Sequence, residues 1–404
     1  MTVGEPAATT NDVAERGRFR PARDGALASL VGSTLMIDTA GAMVVTSMSL
    51  FLTDAVRATP LMVGLFFAGR AISEIATDLV VGVFSDRIAS RRRLLAVCAL
   101  FSAAGAASFL LIRDYYVLFA CAAVCFGIGG ATFSQLFAYT REFAEFRGAD
   151  VSFFNSAIRA VTSAAWIIGP PLGLFLVGQG GFKPLYATAA ILYAVPAVLC
   201  LAGLPDVRKQ RPEVTGKRKR PFAGLTRQSG LLLAAIVVML TINMMYQIDI
   251  ALFVTKELGF GAGFAGILLG LASALEIPIM LLVGSRSTRF GKWRLVVVAS
   301  LAAALFFALL PLATSAWQLL ALQVLNAGFT AIVLSIPVVI LQDAMPDRPG
   351  AASALYSGAF KAGAFLGGAI VGTATTALGF ANIFWVSAGL ALLATSLLIL
   401  GRRP

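Results

Sequence analysis

Seven ionisable residues lie near the middle of long apolar stretches of this 404-residue chain. They are Asp38, Arg70, Glu74, Arg159, Asp249, Glu276 and Lys361. An ionisable side chain in hydrocarbon costs at least about 2.5–3.5 kcal/mol, so such groups are normally paired and functional. The chain contains no histidine, so any proton chemistry would use carboxylates or lysine instead of imidazole.

The residue patterns of enzymes are missing from the sequence. A membrane enzyme would need a nucleophile–base pair, metal ligands or a phosphate-binding loop, and no histidine, Cys-x-x-Cys pair or nucleotide loop is present. The cysteines lie in apolar runs, which indicates small core-filling residues. They are Cys98, Cys121, Cys125 and Cys200. We therefore expect neither an enzyme nor a metal or cofactor site.

Long apolar segments must position the charged residues. Hydrophobic residues make up 58% of the chain, charged residues 13%, and the mean hydropathy is +0.86. A soluble domain would carry about 25% charged residues. Twelve apolar segments of about 18 to 27 residues follow one another, each long enough to cross a bilayer as a helix. This pattern predicts an all-α integral membrane protein with twelve transmembrane helices.

The two halves of the chain repeat one another. Residues 50–93 align without a gap to residues 252–295, a shift of 202, which is half the chain length. A repeat of this length indicates two copies of one structural unit. Two parallel repeats of an apolar bundle build one large class of secondary transporters. We therefore predict two pseudo-symmetric six-helix bundles.

Composition divides the chain into five segments. The polar tail at 1–24 lacks the central apolar region of a cleavable signal peptide, and we expect it to be cytoplasmic. The N-terminal bundle spans 25–204, a basic cytoplasmic linker spans 205–230, the C-terminal bundle spans 231–400, and 401–404 is a cytoplasmic end.

Basic residues set the predicted orientation. The predicted cytoplasmic segments hold 25 of the 32 Lys and Arg residues, which places both termini in the cytoplasm by the positive-inside rule. The net charge of +12 is thus a topology signal, and we expect no nucleic-acid partner. The basic linker is expected to lie along anionic membrane lipids.

Two loops share a signature. Residues 82–93 read Gly-Val-Phe-Ser-Asp-Arg-Ile-Ala-Ser-Arg-Arg-Arg, and residues 284–294 read Gly-Ser-Arg-Ser-Thr-Arg-Phe-Gly-Lys-Trp-Arg. Both resemble the Gly-x-x-x-Asp-Arg-x-Gly-Arg-Lys signature of the major facilitator superfamily. The resemblance implies a cytoplasmic gate formed by Asp86, Arg87 and Arg289, which would latch the bundles together. The alternative is simple positive-inside anchoring.

Further stretches resemble narrower groups within that superfamily. Residues 169–173, Gly-Pro-Pro-Leu-Gly, resemble the Gly-Pro-x-x-Gly element of its antiporters, which implies a helix that favours exchange; a kinked packing helix is the alternative. Other segments resemble the bacterial sugar efflux transporter family, which implies proton-linked export of sugars and glycosides. These segments are 135–143, 159–171, 243–249, 275–278, 322–326 and 342–346.

The superfamily's architecture implies charge pairs between the bundles, because its second span abuts the eleventh and its fifth abuts the eighth. The repeat shift relates Glu74 to Glu276, and it relates Arg159 to Lys361. The predicted pairs are Glu74 with Lys361 and Arg159 with Glu276. The alternative is that each charge bonds locally, and Arg70, four residues before Glu74, is a competitor that could share its carboxylate.

Asp38 and Asp249 have no evident basic partner, and the first and seventh spans line the central cavity of such transporters. A carboxylate in a partly dry cavity can bind and release a proton as access alternates, so both are candidates for proton coupling. The predicted substrate-binding residues are Gln135, Trp166, Asn243, Tyr246, Gln247, Asp249 and Asn326. For Asp249, sugar binding competes with proton binding; for Gln135 and Asn326, helix–helix bonding is the alternative.

The sequence as a whole predicts a monomeric multi-pass transporter of the bacterial inner membrane. Its partners would be a small sugar or glycoside, protons and membrane lipids, and it would need no cofactor. The two bundles would rock about a mid-membrane site. An exporter of drug-like amphiphiles would share this architecture, and a membrane sugar receptor that does not transport is a third interpretation.

Overall fold

A computed structural model describes residues 25–84, 90–149, 151–206, 226–345 and 349–402. The predicted tail, most of the basic linker, and the gate residues Asp86 and Arg87 lie outside the described residues. Twelve helices in the described ranges are long and apolar enough to cross a membrane, which confirms the predicted fold class.

The helices follow one another with short connections. In chain order they are α1 Gly25–Asp54, α2 Pro60–Phe84, α3 Arg91–Leu111, α4 Tyr115–Phe146, α5 Val151–Gly180, α6 Phe182–Gly203, α7 Arg227–Leu252, α8 Ala262–Phe290, α9 Lys292–Leu309, α10 Ala316–Ala344, α11 Pro349–Leu378 and α12 Ile383–Arg402. A π-helical turn, Phe253–Glu257, extends α7. The Asp114 carboxylate accepts a hydrogen bond of 3.0 Å from the Val117 N–H, so an acidic N-cap begins α4.

The helices pack as two similar bundles, α1–α6 and α7–α12. In the first, α1 lies against α5 and α6; in the second, α7 lies against α11 and α12. Phe51 of α1 meets Phe182 of α6 with ring centroids 5.2 Å apart, and Phe253 meets Phe384 of α12 at 5.2 Å. Both residues of the second pair follow from the first by the shift of 202, so the sequence repeat is also a packing repeat.

The two bundles are closely packed against each other in the half of the molecule away from the termini. Across the interface α2 packs on α11, and α5 packs on α8. A Cβ on Gly64 of α2 would collide with the backbone of Gly368 and Gly372 on α11. A Cβ on Gly266 of α8 would lie 2.9 Å from the Pro170 carbonyl oxygen on α5. Only glycine permits such close backbone contact.

The interface is open in the half of the molecule that carries the termini. Residues eleven apart lie on the same helix face, about three turns away. Ser357 therefore shares the α2-facing side of α11 with Gly368, and Leu281 shares the α5-facing side of α8 with Gly270. Ser357 is exposed, and Leu281 is 70% exposed. The bundles therefore diverge towards the termini.

Candidate functional site

Two cations and two carboxylates meet where α2 contacts α11. Within α2, Arg70 Nε lies 2.7 Å from Glu74 Oε1. Lys361 of α11 forms an ion pair with Asp78, one turn further along α2. The Ser134 hydroxyl of α4 lies 3.4 Å from the other Asp78 oxygen. An ion pair thus joins the bundles through α2 and α11. Its acid is Asp78 and not the predicted Glu74, which Arg70 engages, although Glu74 still attracts Lys361 electrostatically.

Packing also corrects the assumed correspondence between α5 and α11. A Cβ on Gly169 of α5 would lie 2.9 Å from the carbonyl oxygen of Thr39 on α1. A Cβ on Gly367 of α11 would lie 3.1 Å from the carbonyl oxygen of Thr241 on α7. The two threonines differ by 202 in number, whereas the two glycines differ by 198. Relative to α7, α11 is therefore offset by four residues, about one helical turn.

The offset changes which residues are equivalent. With a shift of 198, the counterpart of Arg159 is Ser357, and the counterpart of Lys361 is Ser163. Arg159 and Lys361 are therefore not related by the repeat as predicted. Four residues are close to a whole helical turn. Both cations therefore lie on the helix face predicted for them, and only their position along the helix axis differs from the prediction.

Arg159 and Glu276 come near each other without forming the second predicted pair. The Arg159 guanidinium lies 5.8 Å from the ring centroid of Phe137 in its own bundle. Glu276 lies near Thr330 of its own bundle, whose hydroxyl donates a hydrogen bond of 3.0 Å to the Asn326 carbonyl oxygen. Tyr356 lies within electrostatic reach of both charges. No ion pair links these two described residues, and the Arg159 guanidinium lies over the Phe137 ring of its own bundle instead.

Asp38 lies between α1 and α5. The Thr162 hydroxyl of α5 donates a hydrogen bond of 2.6 Å to Asp38 Oδ2. The Tyr193 hydroxyl is close by, since it would lie 3.4 Å from a Cβ built on Gly41. Asp38 as a whole residue is partly exposed. Thr162 was not predicted, and a polar residue on the helix that abuts α1 is the signal that could have identified it.

Asp249 is fully buried inside the second bundle. Its exposed fraction is 0%, and neither carboxylate oxygen has a hydrogen-bond partner within the described ranges. On α7 it lies between Met245, whose sulfur contacts Ser387, and Phe253, whose ring packs on Phe384. Positions four apart share a helix face, and this face packs on α12. The expectation that Asp249 lines the cavity between the bundles is therefore corrected.

Asn243 and Gln247 occupy another face of α7. The Gln247 side chain donates a hydrogen bond of 3.0 Å to Asn243 Oδ1, while Gln247 Oε1 is buried without a partner. At about 100° per residue, Gln247 lies about 200° around the helix from Asp249. The amides therefore point towards the first bundle, where Trp166 is partly buried on α5.

The other predicted sugar contacts are bonded inside single bundles. The Tyr246 hydroxyl lies 3.1 Å from Gln323 Oε1, and Asn326 donates to the same oxygen at 3.0 Å. Gln135 accepts a bond of 2.5 Å from Arg91 and is 5% exposed. The Gln135 contact joins α3 to α4 and is a helix–helix bond of the kind named as the alternative, whereas the Asn326 bond lies within α10. Gln323 is a residue that sequence reasoning missed.

The predicted gate is only partly described. Arg289 lies exposed in the last turn of α8. Beside this loop, Arg91 pairs with Glu142 at 3.0 Å in the first bundle, and Lys292 pairs with Asp343 at 2.6 Å in the second. These pairs tie α3 to α4 and α9 to α10, so the basic ends of α3 and α9 are anchored within their bundles.

The Gly-Pro element of α5 packs on both sides. Gly169 and Gly173 face α1, where a Cβ on Gly173 would lie 3.1 Å from Met43 Cβ. Pro171 faces α8, with its Cγ 2.5 Å from a Cβ built on Gly270. The element therefore lets α5 contact α1 within its bundle and α8 across the interface. Its packing role is clear from these contacts.

Twelve spanning helices in two repeated bundles, with charged and polar groups between them, define a secondary transporter of the twelve-helix class. The family model of the Major Facilitator Superfamily matches residues 30–317 and 231–404. The chain belongs to the Major Facilitator Superfamily, and it is accordingly a multi-pass membrane transporter and not an enzyme.

Similar proteins narrow the assignment. The chain is 35% identical to Sugar efflux transporter A of Escherichia coli (strain K12), over 92% of this chain and 95% of that protein. It is 32% identical to Sugar efflux transporter C of the same organism, over 87% of this chain and 89% of that protein. The resemblance to sugar efflux transporters inferred from the sequence is thereby confirmed.

Solved structures support the fold. The crystal structure of the nucleoside transporter NupG matches with a TM-score of 0.78 at 14% identity, covering 93% of this chain and 98% of that one. A bacterial homologue of the human lysosomal transporter Spinster matches with a TM-score of 0.74 at 14% identity, covering 92% and 95%. At such low identity these matches establish the shared architecture alone.

Proposed function

We propose that this protein exports sugars or glycosides across the bacterial inner membrane in exchange for protons. The observation that carries the proposal is its identity of 32–35% to sugar efflux transporters along nearly their whole length. The protein would act as a monomer in the lipid bilayer, with both termini in the cytoplasm. Its open side would then face the cytoplasm, from which an exported solute must enter.

The sugar would bind between the bundles, at the faces of α5 and α7 that meet there. Asn243 and Gln247 offer amide groups that suit sugar hydroxyls, and the Gln247 oxygen is still without a partner. Trp166 would stack on a pyranose ring. Rocking of the bundles would close the cytoplasmic side and open the other, releasing the sugar outside.

Protons would be exchanged at carboxylates. Asp38 is supported by its partial exposure and by the single hydroxyl donor that holds it. A proton-exchange role for Asp249 is supported by its burial with no cation in contact among the described residues. In such surroundings an ionised carboxylate is strongly disfavoured, whereas a protonated one is not. Sugar binding by Asp249 is less well supported, because its side chain points towards α12.

Uptake into everted membrane vesicles tests the proposal. Labelled lactose and labelled glucose are supplied outside vesicles that contain the protein, with and without an uncoupler. We expect accumulation of at least one sugar, and we expect the uncoupler to abolish it. Vesicles without the protein are the control.

Two outcomes would contradict the proposal. Uncoupler-sensitive movement of a lipophilic dye, without uptake of either sugar, would identify a drug exporter. Saturable sugar binding without accumulation would identify a receptor.

A further inference from the structure

An ion pair joins the bundles at the face opposite the termini. Lys256 Nζ lies 2.5 Å from Asp54 Oδ1, with the two side chains 38% and 37% exposed. Asp54 ends α1, and Lys256 lies in the π-helical turn that extends α7. The pair therefore connects the ends of the first helix of each bundle.

The repeat places these two residues at equivalent positions. Asp54 and Lys256 differ in number by 202, the shift that also relates the aromatic pairs packed three residues earlier on the same helices. Equivalent positions in two halves can touch only where the pseudo-twofold axis passes between them. The pair therefore lies at the axis on the boundary between the bundles, and a rocking motion that opens this face would separate the two charges.

The surroundings of the Asp54–Lys256 ion pair allow it to break and form again at low cost. Both side chains are partly exposed, so water can solvate the separated charges at little cost. The neighbouring Glu257 accepts a hydrogen bond of 2.9 Å from the Ala381 N–H at the start of α12, which ties the π-helical turn to its own bundle. Lys256 would therefore move with the second bundle and Asp54 with the first.

We infer that Asp54 and Lys256 form a latch that holds the face opposite the termini closed and separates when that face opens. The inference rests on the proposed alternating access, but it makes no assumption about the solute or the proton. The latch acts at the axis, whereas the Asp78–Lys361 pair lies off the axis at the α2–α11 contact.

Distances between spin labels test the latch without any transport assay. Labels are placed at Lys183, in the first turn of α6, and at Thr314, between α9 and α10; both are exposed on the latch side. The background lacks the native cysteines, which are Cys98, Cys121, Cys125 and Cys200. Double electron–electron resonance then measures the open and closed populations. We expect Asp54→Asn and Lys256→Gln each to raise the open-to-closed ratio by about 1.5- to 5-fold.

The repeat allows a rescue experiment in which the charges of Asp54 and Lys256 are exchanged. A merely structural role of the two residues would not give recovery of the original populations. Because the positions are equivalent, the double variant Asp54→Lys with Lys256→Asp rebuilds the same pair and should restore the original distribution. Glu145→Gln is the matched control, since Glu145 pairs with Arg141 on the surface of a single helix at 2.8 Å. It should leave the populations unchanged.

The outcomes separate the latch from the proposed function. Distributions unchanged by both single variants, or not restored by the double variant, would overturn the latch. A shift that the double variant reverses supports the latch, even if the parent protein takes up neither sugar; that result would overturn the proposed substrate alone.

Discussion

Glu74 and Asp78 show how a one-turn difference in depth decides which charge carries the contact between bundles. Both carboxylates lie on the same face of α2, four residues apart. Arg70 engages the first, and Lys361 crosses the interface to the second. The sequence identified Lys361 and α2 as partners, but not the acid. The reason is that apolar helices can slide by one turn without changing which residues are buried.

A charge swap distinguishes the two carboxylates. Asp78→Asn should reduce transport about tenfold, because Lys361 would be left unpaired in a half-buried site. Exchanging the charges, Asp78→Lys with Lys361→Asp, should partly restore transport in the vesicle assay. The matched exchange of Glu74 with Lys361 should not. Equal rescue by both exchanges would show that Lys361 does not discriminate between them.

No cation contacts the buried Asp249 among the described residues, so its carboxylate is favoured in the protonated form, which asparagine resembles. Asp249→Asn should therefore keep sugar exchange driven by sugar alone and abolish accumulation driven by a proton gradient. Sugar counterflow and uncoupler-sensitive uptake measure the two activities separately. Weakened sugar binding in the variant would instead make Asp249 a ligand.

At the scale of elements, α5 and α11 perform the same two tasks with different residues. Each packs on the first helix of its bundle through glycines and reaches across the interface with its other side. In α5 the crossing face carries Pro170 and Pro171; in α11 it carries Gly368 and Gly372. The motif Gly-Pro-Pro-Leu-Gly was thus recognisable in the sequence, whereas its equivalent in α11 was not, because backbone packing needs only small surfaces and no particular motif.

Replacing Gly64 by alanine tests the close packing between α2 and α11. The added methyl group would collide with the α11 backbone, so Gly64→Ala should destabilise the closed arrangement by about 1–3 kcal/mol. Thermal unfolding in detergent should report a lower midpoint temperature. Gly328→Ala is the control, because a Cβ there meets nothing within 4 Å, and the substitution should be neutral or stabilising. Equal effects of the two would argue against the packing.

At the scale of the whole molecule, hydropathy and the 202-residue repeat were sufficient to predict twelve helices in two bundles. They could not predict which half of the interface is closed. That property depends on contacts such as Gly64 with Gly372 and on how far each helix is shifted along its axis. Neither feature produces a periodic pattern in the sequence. The surroundings of the Asp38 and Asp249 side chains depend on the same depths, so only their helices were foreseen.

Chemical labelling tests both the open half and the orientation. Ser357 is exposed on the interface side of α11, so Ser357→Cys should react with a membrane-impermeant maleimide in everted vesicles. It should react at least about tenfold more slowly in right-side-out vesicles, because the bilayer and the closed half shield it. Val371→Cys, at a position 2% exposed, should react in neither. Faster labelling in right-side-out vesicles would reverse the proposed orientation.

The contact between Asp54 and Lys256 also bears on how such a chain can arise. Two identical six-helix subunits around a twofold axis would place the same residue opposite itself at this point. A symmetric dimer could therefore oppose aspartate to aspartate or lysine to lysine, but never one to the other. In a single chain that carries both halves, the two positions can differ. The attraction across the axis is available only to a fused and diverged polypeptide, and a return to two identical halves would replace it with repulsion.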